Sequence, residues 1–142
     1  ISWQLLYVGS DDLQLDLPFF IQWDQPEQQR VQELKSCGTI QNHPAGPIKI
    51  EEVSFVVRNF NTAHALLKLG HFEQSQMTDP KLKADVLKIH TPTGTLAFYA
   101  PIDEGDVWNI LMERGQSICS IVLAGAAESK VIDVENANYV FQ

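Results

Sequence analysis

The chain has 142 residues, 44% of them hydrophobic and 20% charged, which suits a single globular domain or two small subdomains sharing a core. Eighteen acidic against ten basic residues give a formal charge of −8. The basic residues are scattered singly, so nucleic acid is not an expected partner. No apolar run approaches the roughly 20 residues of a membrane span, and no basic stretch followed by an apolar one marks a signal peptide.

The chain opens on Ile1 without an initiator methionine, which reads as a trimmed piece of a longer protein. Its two cysteines, Cys37 and Cys119, lack CxxC spacing and read as reduced thiols of a cytoplasmic protein.

In chain order, Ser2 to Val8 is a short strand that stops at the turn cluster Gly9 to Asp12. Leu13 to Leu17 alternates apolar and polar residues. Pro18 then leads into a second strand, Phe19 to Trp23. Asp24 or Gln25 caps a helix with Pro26 in its first turn. That helix runs to about Cys37 on a seam of Val31 and Leu34, with Gly38 as its left-handed stop. The segment QNHPAGP, residues 41 to 47, is too rich in proline and glycine for regular structure.

Ile48 to Ile102 then reads as a strand, a short helix and three strands. From Glu52 to Val57 the pattern has period two, so Glu52, Ser54 and Val56 share one face and Val53, Phe55 and Val57 the other. Asn59 or Asn61 caps the helix from Thr62 to Leu69, and Gly70 ends it. Phe72 to Met77, Ala84 to Ile89 and Thr95 to Ala100 are strands joined by short breaker loops, which favours an antiparallel meander. Asp103 to Asp106 starts a last helix with Val107, Ile110 and Leu111 buried and Gly115 as its stop. Ile118 to Leu123 is an apolar strand, and the tail holds weak strands in VIDV and YVF. The strands FFIQW and ICSIVL flank the central unit and hint at a pseudo-two-fold plan with one strand in each half.

Among candidate functional residues Glu52 stands first. A carboxylate on the polar face of a strand can bind a metal or act as a base, or it can be solvated on an open sheet. The four histidines show no HxH, HxxxH or HExxH spacing. His64 is expected to be solvated, His71 to cap a helix end and His90 to close a strand. His43, in the Pro- and Gly-rich loop, is the histidine expected to carry function. No GxSxG or Gly-rich phosphate loop is present. Trp23 and Tyr99, at a strand end or on a face bordering a cavity, are the aromatics expected to meet a ligand.

IEEVSFVVRN, a short helix and three strands closing on GTLAFYAP resemble the βαβββ module of the glyoxalase and vicinal-oxygen-chelate superfamily. PFFIQWD, a helix with Gly38, and HPAGP running into IKIEEVSFVVRN resemble its bacterial glyoxalase-like family over about residues 18 to 125. The resemblance implies an α+β fold in which a curved mixed sheet forms a half-barrel with flanking helices. Residues 1–17 would be an N-terminal strand and linker, a remnant of a preceding module, residues 18–125 the domain, and 126–142 a tail. It implies a small-molecule ligand, met by Glu52, Ser54, Tyr99, His43 and Trp23, and pairing as a homodimer or with a second module.

Metal enzymes of the superfamily take ligands from the first and fourth strands of each module. Glu52 falls at the first position and Ala97 at the fourth, so no metal or other cofactor is expected unless a second module supplies ligands. Three readings follow from the resemblance: a small-molecule-binding protein, a catalytically degenerate binding or dimerisation module, and a metal-dependent lyase or dioxygenase completed by a second module.

Overall fold

A computed structural model describes residues 2–6 and 20–142. The turn expected at Gly9 to Asp12, the alternating segment Leu13 to Leu17 and the proline at 18 lie outside the described residues. Strands β1 (Trp3–Leu6) and β2 (Phe20–Trp23) pair antiparallel as a two-stranded sheet, with Trp3 opposite Trp23. Helix α1 (Glu27–Ser36) follows, with Pro26 itself at the N-cap. Neither expected capping side chain is used. The Gln25 amide instead reaches the Glu33 carboxylate at 3.0 Å. Gly38, at φ +75°, is the left-handed stop expected there. The seam of Val31 and Leu34 is only half-covered, and no α1 residue is fully buried.

The βαβββ unit forms as expected: β3 (Lys49–Val56), α2 (Asn61–Leu67), β4 (Glu73–Asp79), β5 (Ala84–Thr91) and β6 (Gly94–Pro101). In the sheet their order is β4-β5-β6-β3. The last three strands are an antiparallel meander, and β6 returns to lie parallel to β3. Before α2, the Asn59 side-chain oxygen accepts the Asn61 N–H at 3.0 Å. A two-turn helix is marginal alone, and α2 is held by Ala63 and Leu66, which pack on Phe55, Val57, Leu87, Ile89 and Phe98. Phe55 and Phe98, neighbours across the β3–β6 ladder, stack with centroids 5.1 Å apart.

Helix α3 (Asp106–Arg114) covers the opposite face at one end of the sheet. Val107 and Leu111 pack there against Val56 and Ala84, with Tyr99 and Cys119 at the margin. Gly115, at φ +72°, ends the helix and donates its N–H to the Leu111 carbonyl.

Beyond α3 the chain adds β7 (Ser117–Ala124), β8 (Lys130–Val134) and β9 (Ala137–Phe141) to the same sheet. The weak strands expected in the tail are thus β8 and β9, joined at Glu135-Asn136. Both turn residues have positive φ, as a tight hairpin requires. Strand β7 is antiparallel to β3, β9 is parallel to β7, and β8 is antiparallel to β9. The triplet β7/β9/β8 therefore repeats the relations of β3/β6/β5 across the β3–β7 seam. The pseudo-two-fold expected from FFIQW and ICSIVL is not the one observed: β2 pairs with β1 outside the large sheet, and it is β7, β9 and β8 that mirror β3, β6 and β5. The loop after β7 docks on the 41–47 segment: Ala127 N–H bonds the Ala45 carbonyl at 2.8 Å. Gly125 there has φ +84°, and a Cβ on it would lie 2.8 Å from the Pro47 carbonyl. The result is an open, curved, mixed sheet of seven strands with edges β4 and β8. No helix of the described residues is long and apolar enough to cross a membrane.

The core under α2 yields the first prediction. Phe98 is 1% exposed, so Phe98→Ala should lower the urea-unfolding free energy by about 3–5 kcal/mol. Val131→Ala, on an exposed edge strand, should change it by no more than about 0.5 kcal/mol.

Candidate functional site

Residues opposite one another in neighbouring strands share a face, so the registers can be followed across the sheet. Starting from Ser54, one row runs Ser75, Lys88, Ala97, Ser54, Ser120, Asn138, Asp133 over all seven strands. Apart from Ala97 every member is polar. The next row places Glu52 between Thr95 and Val122, with His90 beyond Thr95. This is the face that α3 covers only at the Val56 end. The opposite face carries the stacked phenylalanines.

At the centre of the row the Lys88 Nζ meets Glu52 Oε2 at 2.6 Å. The Ser54 hydroxyl donates to Glu52 Oε1 at 3.1 Å. Both carboxylate oxygens are therefore engaged. Lys88 starts on β5 and crosses β6 to reach β3, passing the row position of Ala97, whose methyl is wholly buried. The side chains of Lys88 and Glu52 are 32% and 17% exposed, so the pair is neither a solvated surface bridge nor a sealed one. Burial lowers the Lys88 pKa, but the hydrogen bond and charge of Glu52 outweigh it and hold the group above its ordinary value.

Tyr99 lies one step along β6 on the same face, opposite Val56. Burial, and then the negative charge of Glu52, push its phenol pKa up. A bulge between Ser54 and Phe55 in the β3–β7 ladder brings Cys119 beside the row, its thiol donating to the Ser54 carbonyl at 3.4 Å. Burial pushes that thiol up to about 11. At the rim, the His90 ring lies 3.3 Å from both the Thr95 and the Ser75 hydroxyl.

Of the five residues expected to meet a ligand, Glu52, Ser54 and Tyr99 come together. His43 does not join them. Its Nδ1 accepts the Ala45 N–H at 3.1 Å, and its ring lines a separate recess of about 310 Å³ with Gln41, Asn42 and Pro47. Trp23 sits in the two-stranded sheet with the Arg30 guanidinium over its ring at 5.1 Å. Of the other histidines, His64 is exposed, as expected, with Phe60 at its edge.

Sequence reasoning passed over Lys88 and Ser120. Lys88 carries one available signal: it alternates with Ala84 and Val86 within a strand whose other face is Leu87 and Ile89. Its pairing with Glu52, 36 residues away, depends on register and leaves no mark in local pattern.

The donor set does not fit a divalent metal. The Glu52 carboxylate is held by an ammonium and a hydroxyl, and its row neighbours across β7 and β9 are Val122 and Val140. No three His, Cys, Asp or Glu side chains converge among the described residues, whereas a protein site for a transition metal takes three or four such ligands.

Comparison with known proteins agrees with this architecture. A glyoxalase-like domain family model matches residues 1–70. No curated protein matches the sequence. Among solved structures, a hypothetical protein of Bacillus halodurans superposes with TM-score 0.51 at 10% identity, over 67% of this chain and 93% of that one. Methylmalonyl-CoA epimerase from Mycobacterium tuberculosis gives TM-score 0.52 at 9% identity, over 72% and 91%. A 4-hydroxymandelate synthase mutant from Streptomyces coelicolor gives 0.54 at 12%, over 68% of this chain but 38% of that one. These likenesses are of fold alone. The family match through α2 and the shared fold beyond it support the resemblance read from the residues: the chain is similar to glyoxalase-like proteins.

Proposed function

We propose that this chain binds a small organic molecule on the polar face of its open sheet, at Glu52, Lys88, Ser54 and Tyr99. The observation that carries the reading is the half-buried Lys88–Glu52 pair, stitched to Ser54, on a strand whose opposite face is packed core. A hydrophobic pair of similar volume would serve stability as well or better. Charges kept on a sheltered face beside a tyrosine of displaced pKa support this reading. The structural neighbours named as an epimerase and a synthase add that this fold is used by proteins acting on small molecules.

Binding is a better account than nucleophilic catalysis. A thiol at about 11 is protonated at neutral pH and is a poor nucleophile. The lyase or dioxygenase reading would need metal ligands from another module, because the row around Glu52 does not provide them.

A second reading, pairing with another copy or module, has its own support. Ile50, Ile132 and Val134 lie exposed on the apolar side of the sheet's second half, and exposed apolar strips of this kind mark interfaces. Under this reading light scattering gives twice the monomer mass, and Ile132→Lys restores the monomer. A monomer at high micromolar concentration contradicts it.

Two measurements test the site. In a calorimetric screen of small carbonyl and carboxylic compounds, Lys88→Met should weaken any carboxylic ligand found by about tenfold, the worth of one hydrogen bond to a charged group. Binding unaffected by that change places the ligand elsewhere. In alkylation at pH 8 followed by mass spectrometry, Cys37, exposed and lowered in pKa chiefly by its hydrogen bond with Thr39, should react well before Cys119. Faster labelling of Cys119 contradicts the sheltered, protonated thiol.

A further inference from the structure

We infer that the Lys88 ammonium is a built-in cation on the polar face of the sheet, and that it recognises the carboxylate of a small organic acid. The inference rests on the proposed ligand face and names the ligand class for it.

Three observations converge on Lys88. Its Nζ lies 2.6 Å from Glu52 Oε2, which fixes the ammonium on this face. It reaches Glu52 across the row position of Ala97, where a larger side chain would fill its path. The bond to Glu52 uses one of three ammonium donors, and about a third of the side chain remains accessible. An ammonium so placed does what a metal cation does for an anionic oxygen, without ligand geometry.

The neighbours define what it recognises. The Tyr99 phenol, opposite Val56 on the same face of the sheet, keeps its proton and is a second donor. Ser120 lies beside Ser54 in the row. One carboxylate can therefore accept from Lys88 and a hydroxyl together. Because Glu52 already balances Lys88, a monoanion brings the site to one net negative charge. A dianion brings it to two and is disfavoured. The site selects monocarboxylates over both neutral analogues and dicarboxylates.

The test is an amide-resolved NMR titration of the chain with pyruvate, pyruvamide and malonate, and separately with manganese(II). Pyruvate should shift the amides around Lys88, Ser54 and Ser120, pyruvamide and malonate should bind about tenfold more weakly, and manganese should leave these amides sharp. Lys88→Met should remove the preference for pyruvate over pyruvamide, and Lys88→Arg should keep most of it. Equal binding of pyruvate and pyruvamide at this row overturns the inference and leaves the ligand face standing. So does manganese broadening centred on Glu52. If none of the three compounds shifts this row, both the inference and the ligand face fall. The wild-type comparison decides even if Lys88→Met does not fold.

Discussion

Everything in the large sheet depends on the two-sided pairing of β3. One edge takes β6 in parallel and the other takes β7 antiparallel. Because side chains alternate along a strand, this one segment sends Phe55 and Val57 into the core under α2 and Glu52 and Ser54 to the opposite face. The stacking of Phe55 on Phe98 fixes the β3–β6 register, and that same register aligns Ala97 with Ser54. The packing of one face thus sets the polar row on the other. A slip of a single residue would exchange the two sets.

On the proposed reading, the ion pair in that row serves ligand binding more than stability. Two charges lose hydration on entering a sheltered site, and their mutual attraction only roughly offsets the loss. Lys88 and Glu52 persist with Ser54 completing the carboxylate's hydrogen bonds. In the second half of the sheet the matching positions are Ser120, Val122, Asn138 and Val140. The chain therefore builds both sides of the seam itself, and the second side offers hydroxyl, amide and apolar groups beside Glu52, with its one carboxylate of the row, Asp133, out on edge strand β8. On the proposed reading, this asymmetry favours an organic ligand over a metal.

Much of the fold was legible locally. The alternation from Glu52 to Val57, the seam of α3 and the stops at Gly38 and Gly115 follow from period and backbone preference, and the structure has them. Glu52 and Ser54 could be put on one face because they belong to one strand. Lys88 could not be joined to them, since the link spans three strands and is set by tertiary register. The grouping of β8 and β9 with β7 was hidden for the same reason, as VIDV and YVF are short and exposed and their pairing is non-local. His43 stands out by residue type and loop position and Trp23 by residue type at a strand end, which say where function often sits but not which side chains meet.

The measurement that bears most directly on the ligand face is a crystal structure of the chain soaked with a bound small molecule. It should show the ligand against Lys88, Ser54 and Tyr99, with a ligand oxygen within hydrogen-bonding distance of Lys88 Nζ. Ligand density confined to the His43 recess, with the Lys88–Glu52 row contacted only by solvent, would contradict the account.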